Sequence, residues 1–303
     1  MTASTKKMKK NAYARRESLS YMMLMGPSFT IMLALTFVPV LISMWQSLWQ
    51  MNYAMPDKNK FVWFDNYARM FFRDLNFWEI MGNTFVQVFF TVFFQVVIGI
   101  ILALLFSREV RGMGTARSLL MIPMMVTPVV VGVIWRYMLN PTFGIVNYLL
   151  SLFGIGVIDW LGTPTMAMFS IIMSDIWLST PFVTVIIIAG ISSLPKDTFE
   201  AAAVDGANAV KTFWHVTLPQ LAPVIWVSVM FRLIDAFKRF DSIMIMTAGG
   251  PGYSTETLNL YAYMTGFTYF DVGYSSALAT FLFLIICAIS AFTITKVQNS
   301  GNL

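Results

Sequence analysis

Six apolar stretches of bilayer length divide this sequence, at about 21–48, 83–106, 119–139, 166–191, 223–246 and 274–295, and they constrain the fold before anything else does. A helix satisfies its own backbone N–H and C=O groups, so each stretch reads as a membrane-crossing helix and not as a lipid-exposed strand. A large soluble helical protein is the alternative, but the chain is 57% hydrophobic and only 12% charged, about half the charge of a soluble domain. The first stretch exceeds the core of a signal peptide and has no small-residue cleavage site behind it, which predicts an uncleaved span. The sequence therefore predicts an all-α integral membrane protein of six transmembrane helices.

Charge orients it. With six spans both termini share a face. The tail, the loop carrying Arg108, Arg111 and Arg117, the segment between spans four and five, and Lys296 hold about twelve of the 20 Lys and Arg residues. The opposite loops hold Lys58, Lys60, Arg69 and Arg73. The positive-inside rule makes the first face cytoplasmic, with the loops near Pro56, Gly154 and Gly252 outside. The net charge of +5 thus reflects membrane sidedness and not nucleic-acid binding. The aromatics Trp63, Phe64 and Tyr67 in the first outer connection suit a segment lying along the bilayer surface. The expected organisation is a basic tail at 1–20, one six-span domain at 21–297 containing an inner loop at 192–220, and a short tail at 298–303. No loop is long enough to bury a core of its own.

That inner loop is the unusual part. It reads E-A-A-A-V-D-G-A-N-A-V-K-T-F-W-H-V-T-L-P-Q-L-A-P from Glu200 to Pro223. Pro195 and Asp197 stand where a helix start favours a proline and a carboxylate, and Glu200 to Ala203 are strong helix formers. Gly206 suits a turn with positive φ. A second short helix through Val210 and Phe213 is expected, ended by Pro219 and Pro223. An exposed helix-turn-helix elbow on so apolar a chain is explained if something docks on it.

The order E-A-A, D-G-A, Phe213, Val216, Leu218-Pro219, Pro223 resembles the EAA loop of ABC-importer permeases. F-R-L-I-D-A-F-K-R-F-D-S-I in span five and T-A-G-G-P-G-Y-S-T-E-T-L after it resemble the carbohydrate-uptake branch, which includes the maltose system's membrane subunits. The likeness runs from the first span to the last, to the short six-span form without the extra spans and large external insertion of one maltose subunit. The resemblance implies a permease subunit in the bacterial cytoplasmic (inner) membrane, half of a path for a sugar-like solute. It further implies a heterodimer with a related permease, two ATP-binding subunits and an external solute-binding protein. It makes Glu200, Ala201, Ala202, Asp205, Gly206 and Ala207 the ATPase-coupling residues.

Several chemistries are not expected. The chain has no G-x-x-x-x-G-K-[ST], so ATP and magnesium belong on a partner and this chain is no enzyme. One cysteine (Cys287), one histidine (His215) and 23 methionines without paired spacing predict no disulfide framework and no metal site. An intramembrane protease would need a Ser-His or flanked Asp pair at membrane depth. An ion-gradient transporter is the alternative reading, expected to show an inverted repeat with broken spans.

Charges inside spans are costly and face a protein interior or a watery path. In span five Arg232, Asp235 and Arg239 recur at i, i+3 and i+7, sharing a helix face, while Lys238 and Asp241 form a neighbouring stripe. They could line a sugar path, binding hydroxyls by charge-assisted hydrogen bonds, or form an internal ion-pair network. Asp175, Trp177, Ser179 and Thr180 in span four, and Trp135 and Arg136 in span three, are further substrate candidates. They combine aromatic faces for a pyranose ring with groups that bond its hydroxyls. Asp235 and Lys238 complete the candidate path.

Overall fold

In the computed structural model residues 3–107 and 110–300 are described, with side chains from Met25 onward. The basic side chains of the N-terminal tail, Arg108 and the last three residues of the C-terminal tail lie outside the described residues.

Helix α1 (Ala3–Gln46) begins in the basic tail, where no glycine or proline precedes Gly26, and continues through the first apolar stretch with Pro27 and Pro39 inside it. A two-residue antiparallel ribbon follows, β1 (Trp49–Gln50) with β2 (Lys60–Phe61), and an isolated antiparallel bridge joins Asn52 to Asp271. Then come α2 (Asp65–Phe72) and α3 (Phe77–Phe106).

The third predicted span is not one helix. α4 (Met113–Leu120) runs through a tight turn at Pro123–Met125 and meets α5 (Pro128–Met138) at a 95° bend. The residue before a proline is pushed out of the helical region, and Thr127 is extended (φ −67°, ψ 145°) ahead of Pro128. Five helices are therefore long and apolar enough to cross a membrane, and six spans result when the bent pair counts as one. The chain continues through α6 (Ile145–Ser151) and α7 (Pro164–Ser192). Beyond the elbow helices α8 (Lys196–Val204) and α9 (Ala209–Thr212), α10 runs over Leu218–Lys238. The last elements are α11 (Asp241–Met246), α12 (Leu258–Tyr263) and α13 (Val272–Ser300).

Pro219 and Pro223 do not end the helix after the elbow. A wide turn at Phe213–Thr217 joins α9 to α10, and Pro219 falls in the first turn of α10, where its missing N–H leaves no bond unmade. The fifth span is thus 209–238 and not 223–246. The predicted loop through Glu256 to Asp271 contains α12, capped by the Thr257 side chain accepting from Leu260 N, and a second wide turn at Met264–Thr268.

α3 packs most extensively on α7, and α10 on α13. Gly99 lets α3 approach: a Cβ there would lie 2.7 Å from Val183 Cγ1 of α7. One core of Phe77, Val88, Phe237, Leu258, Tyr274 and Leu278 ties α3, α10, α12 and α13 together. A second, of Ala103, Val183, Ile187 and Leu221, lies toward the elbow. The apolar window of α1 is 0% buried, so this helix flanks the bundle along α13. At the end opposite the elbow the connections tie one another down: Asn83 donates to Tyr253 O (2.8 Å), and the Leu258 amide donates to Thr84 Oγ1 (2.8 Å).

A charged cavity and an exposed elbow

The charges of α10 form a network that extends to α7 and α3. Arg232 Nη1 and Arg239 Nη2 each lie 2.7 Å from Asp235 Oδ2. Arg239 Nη2 also lies 3.0 Å from Asp175 Oδ1 of α7, with Arg232 Nη2 at 3.8 Å from the same oxygen. α10 ends at Lys238, and Arg239 is extended (φ −66°, ψ 122°), so its side chain folds back along the last turn of the helix. Gln95 of α3 links the set: its Oε1 accepts from Arg232 Nε (2.8 Å) and its Nε2 donates to the Asp175 carbonyl (3.0 Å). Two arginines thus balance two carboxylates, the arrangement that lets charge persist inside a membrane protein.

The four members differ in access. Asp175, Arg232 and Arg239 side chains are 1%, 5% and 7% exposed, whereas Asp235 is 48% exposed. Asp235 opens onto a cavity of ≈ 410 Å³ lined also by Ser179, Phe182, Phe231, Lys238 and both arginines. Ser179 Oγ lies 3.2 Å from Asp175 Oδ1 and accepts from Arg239 Nη2 at 3.3 Å. Asp175 Oδ2, Arg232 Nη2 and Arg239 Nε are buried without a hydrogen-bond partner among the described residues.

The candidate path residues therefore separate. Ser179, Asp235 and Lys238 line the charged cavity, and Asp175 lies behind it in the ion-pair network. Trp135, Trp177 and Thr180 border a different, largely apolar hollow of ≈ 480 Å³ between α3, α4 and α7. There the two indoles meet edge to face, with ring centroids 6.2 Å apart. The Thr180 hydroxyl is used by Ile176 O of its own helix (2.6 Å). Arg136 is elsewhere again, donating to Ile245 O (3.0 Å) beside Asp159 and Pro251.

The elbow has the expected shape. Pro195 holds the N-cap position of α8, Asp197 lies in the first turn, and Thr198 Oγ1 donates to Pro195 O. Gly206 is left-handed (φ 72°), its N–H bonded to Ala203 O and that of Ala207 to Ala202 O, which closes the helix end. Asn208 then caps α9 by accepting from Lys211 N. Glu200, Ala201, Asp205 and Gly206 are exposed, Ala207 is half-buried and Ala202 is buried. Val204, Val210 and Trp214 of the same segment present apolar surface to solvent, at 88%, 65% and 59% exposure.

Residues 95–301, which contain the cavity and the elbow, match the family described as binding-protein-dependent transport system inner membrane component. The chain belongs to this family. Among its relatives is the trehalose/maltose transport system permease protein MalF of Thermococcus litoralis, 35% identical over 290 residues and 94% of both chains. A probable ABC transporter permease of Sinorhizobium fredii is 40% identical over 266 residues, 88% of this chain and 85% of that one. In fold, the permease is similar to a chain of a bacterial ABC transporter involved in import of the acidic polysaccharide alginate (TM-score 0.81, 22% identity, 96% of this chain and 99% of that one). The permease is thus a multi-pass inner-membrane component of a transport system.

The permease's polar interior extends along α3 in uncharged residues that were not among the predicted site residues. Gln87, Thr91 and Gln95, four residues apart along α3, are all buried, and the side chains of Gln87 and Thr91 have no hydrogen-bond partner among the described residues. Three polar residues at i, i+4 and i+8 in an otherwise apolar span are the signal that could have found them.

Proposed function

We propose that the permease forms half of the translocation path of an ATP-driven importer for a sugar or sugar-like solute. The observation that carries this is the charged cavity: ion-paired side chains in an apolar bundle, with one half-exposed carboxylate, a lysine and a serine facing open space. Hydroxyl-rich solutes are held by such charge-assisted hydrogen bonds, and the trehalose/maltose permease among the relatives is named for solutes of that class. Family membership leaves the ion-gradient reading without support.

Ser179, Asp235 and Lys238 contact the solute in this proposal. Asp175 acts behind them, holding Arg239 and Arg232 and so fixing Asp235. Trp135, Trp177, Thr180 and Arg136 border spaces outside this cavity and serve packing and positioning.

ATP and magnesium bind separate subunits, which dock on the elbow from the cytoplasm, the side on which both termini lie. Glu200, Ala201, Ala202, Asp205, Gly206 and Ala207 form the contact, with Val204, Val210 and Trp214 as its apolar part. The elbow continues into α10 through one helical path, so a push on α8 and α9 reaches Asp235 along that span. A related second permease, two ATP-binding subunits and an external binding protein complete the assembly. A solved alginate transporter of similar fold was captured with an alginate pentasaccharide-bound periplasmic protein.

The test is reconstitution of the permease with these partners in vesicles, measuring saccharide uptake and ATP hydrolysis together. Saccharide uptake that requires ATP and loaded binding protein is expected. Uptake by the permease alone, driven by an ion gradient, would overturn the proposal.

A further inference from the structure

A second polar cavity, of ≈ 220 Å³, lies at the end opposite the elbow, between α2, α12, α13 and the glycine-rich loop. Much of its wall is already satisfied. Arg69 Nη1 pairs with Asp271 Oδ2 at 2.7 Å and stacks over the Tyr274 ring at 4.1 Å. The Tyr261 and Tyr274 hydroxyls both donate to Asp74, at 2.6 and 2.5 Å. Two lining groups make no side-chain hydrogen bond to a described residue. Glu256 is 7% exposed and its carboxyl makes no hydrogen bond to a described residue; burial alone raises it to about 7. Thr265 is 4% exposed and its hydroxyl has no partner. Asn76 adds an amide to the wall, and the Tyr253 and Tyr269 rings, 40% and 60% exposed, border the opening.

We propose that this cavity is an outer subsite for one polyhydroxylated unit, a pyranose ring or small polyol, which rests on the importer reading above. A carboxyl whose burial favours its protonated form, a hydroxyl and an amide together donate and accept, which is what adjacent sugar hydroxyls require. The tyrosine rings offer apolar faces to ring C–H groups. Arg69 is already paired with Asp271, so the cavity offers an ionic ligand no free counter-charge. The volume is below the roughly 300–1,000 Å³ of sites for drug-sized ligands, so one ring fits and an oligosaccharide does not. The buried Thr265 hydroxyl, left without a partner, selects for a ligand that completes it.

The test uses the assembled transporter in nanodiscs without binding protein, exposed to millimolar diazirine-bearing glucose, photolysed and mapped by mass spectrometry. Adducts are expected on the Tyr253–Tyr269 segment. They should fall about tenfold in Glu256→Leu and in Thr265→Val, the equivalent of about one buried hydrogen bond, and persist in Glu256→Gln. Uptake in the same variants should show a raised KM with kcat near normal. If Glu256→Leu does not assemble, the exposed Tyr269→Ala tests the same loss of labelling. Adducts confined to the segments around Ser179 and Asp235, or labelling of Tyr253–Tyr269 unchanged in these variants, would overturn the subsite alone. Failure of the wild-type assembly, with binding protein, to take up any saccharide would overturn the importer reading instead.

Discussion

Asp175 of α7 and Arg239, one residue past the end of α10, meet at 3.0 Å with side chains 1% and 7% exposed. This contact holds span four to span five at membrane depth and leaves Asp235, the more exposed carboxylate, free to face the cavity. Breaking a buried pair strands a charge, at a cost of about 3–5 kcal/mol. Asp175→Asn should therefore lower the thermal midpoint of the detergent-solubilised complex sharply, and Asp175→Asn with Arg239→Gln should recover part of the loss. Additive effects of the two changes would show that the pair is not coupled.

Lys238 is exposed and lines the same cavity. Lys238→Met should alter stability by no more than about 0.5 kcal/mol and yet raise the KM for uptake. Asp235→Asn should reduce uptake more, because Arg232 and Arg239 both rest on that carboxylate. Unchanged kinetics in both variants would remove this cavity from the path.

Gly206 has φ 72°, and a Cβ there would meet nothing within 4 Å. The cost of Gly206→Leu is then conformational, about 1–2 kcal/mol, and confined to the turn. Membrane insertion should be normal while ATPase stimulation by loaded binding protein falls together with uptake, and Gly206→Asn should be milder. Glu200→Ala should show the same joint fall. Full stimulation with lost uptake would place the elbow after the signalling step.

Glu256 is raised from 4.5 to about 7 by burial. A carboxyl raised in the folded state holds its proton longer there than in the unfolded chain, so stability is lost as pH rises from about 4.5 through 7. Glu256→Gln removes the titration. Thermal midpoints of wild type and Glu256→Gln should be close at about pH 5 and diverge by about pH 8, with the variant the more stable. Parallel curves would show that Glu256 is solvated.

Sidedness is tested by labelling single cysteines in a Cys287→Ala background. Phe153→Cys, in the loop after α6, should react from outside and Val204→Cys from the cytoplasm; these positions are 82% and 88% exposed. Reaction of both from one side would refute the orientation.

Features set by neighbouring residues were legible in the sequence. Apolar runs of bilayer length announced the spans, Asp197 and Gly206 marked the ends of the first elbow helix, and the i, i+3 spacing of Arg232 and Asp235 placed them within reach on one turn. The family motifs were legible for the same reason, since they are local strings. Tertiary structure alone decided the rest. Arg232 finds Gln95 across 137 positions, and Arg239 finds Asp175 in another helix, because periodicity gives the face of a helix and not the helix that covers it. Close packing, as at Gly99 against Val183, makes that choice. The same holds for breaks and continuities: Thr127 is extended ahead of Pro128 at a 95° bend, whereas α10 takes Pro219 into its first turn and runs on through Pro223. Glu256 reads in sequence as one more loop carboxylate. Only the folded chain surrounds it with Tyr253, Thr265 and Asn76 and leaves it without a partner.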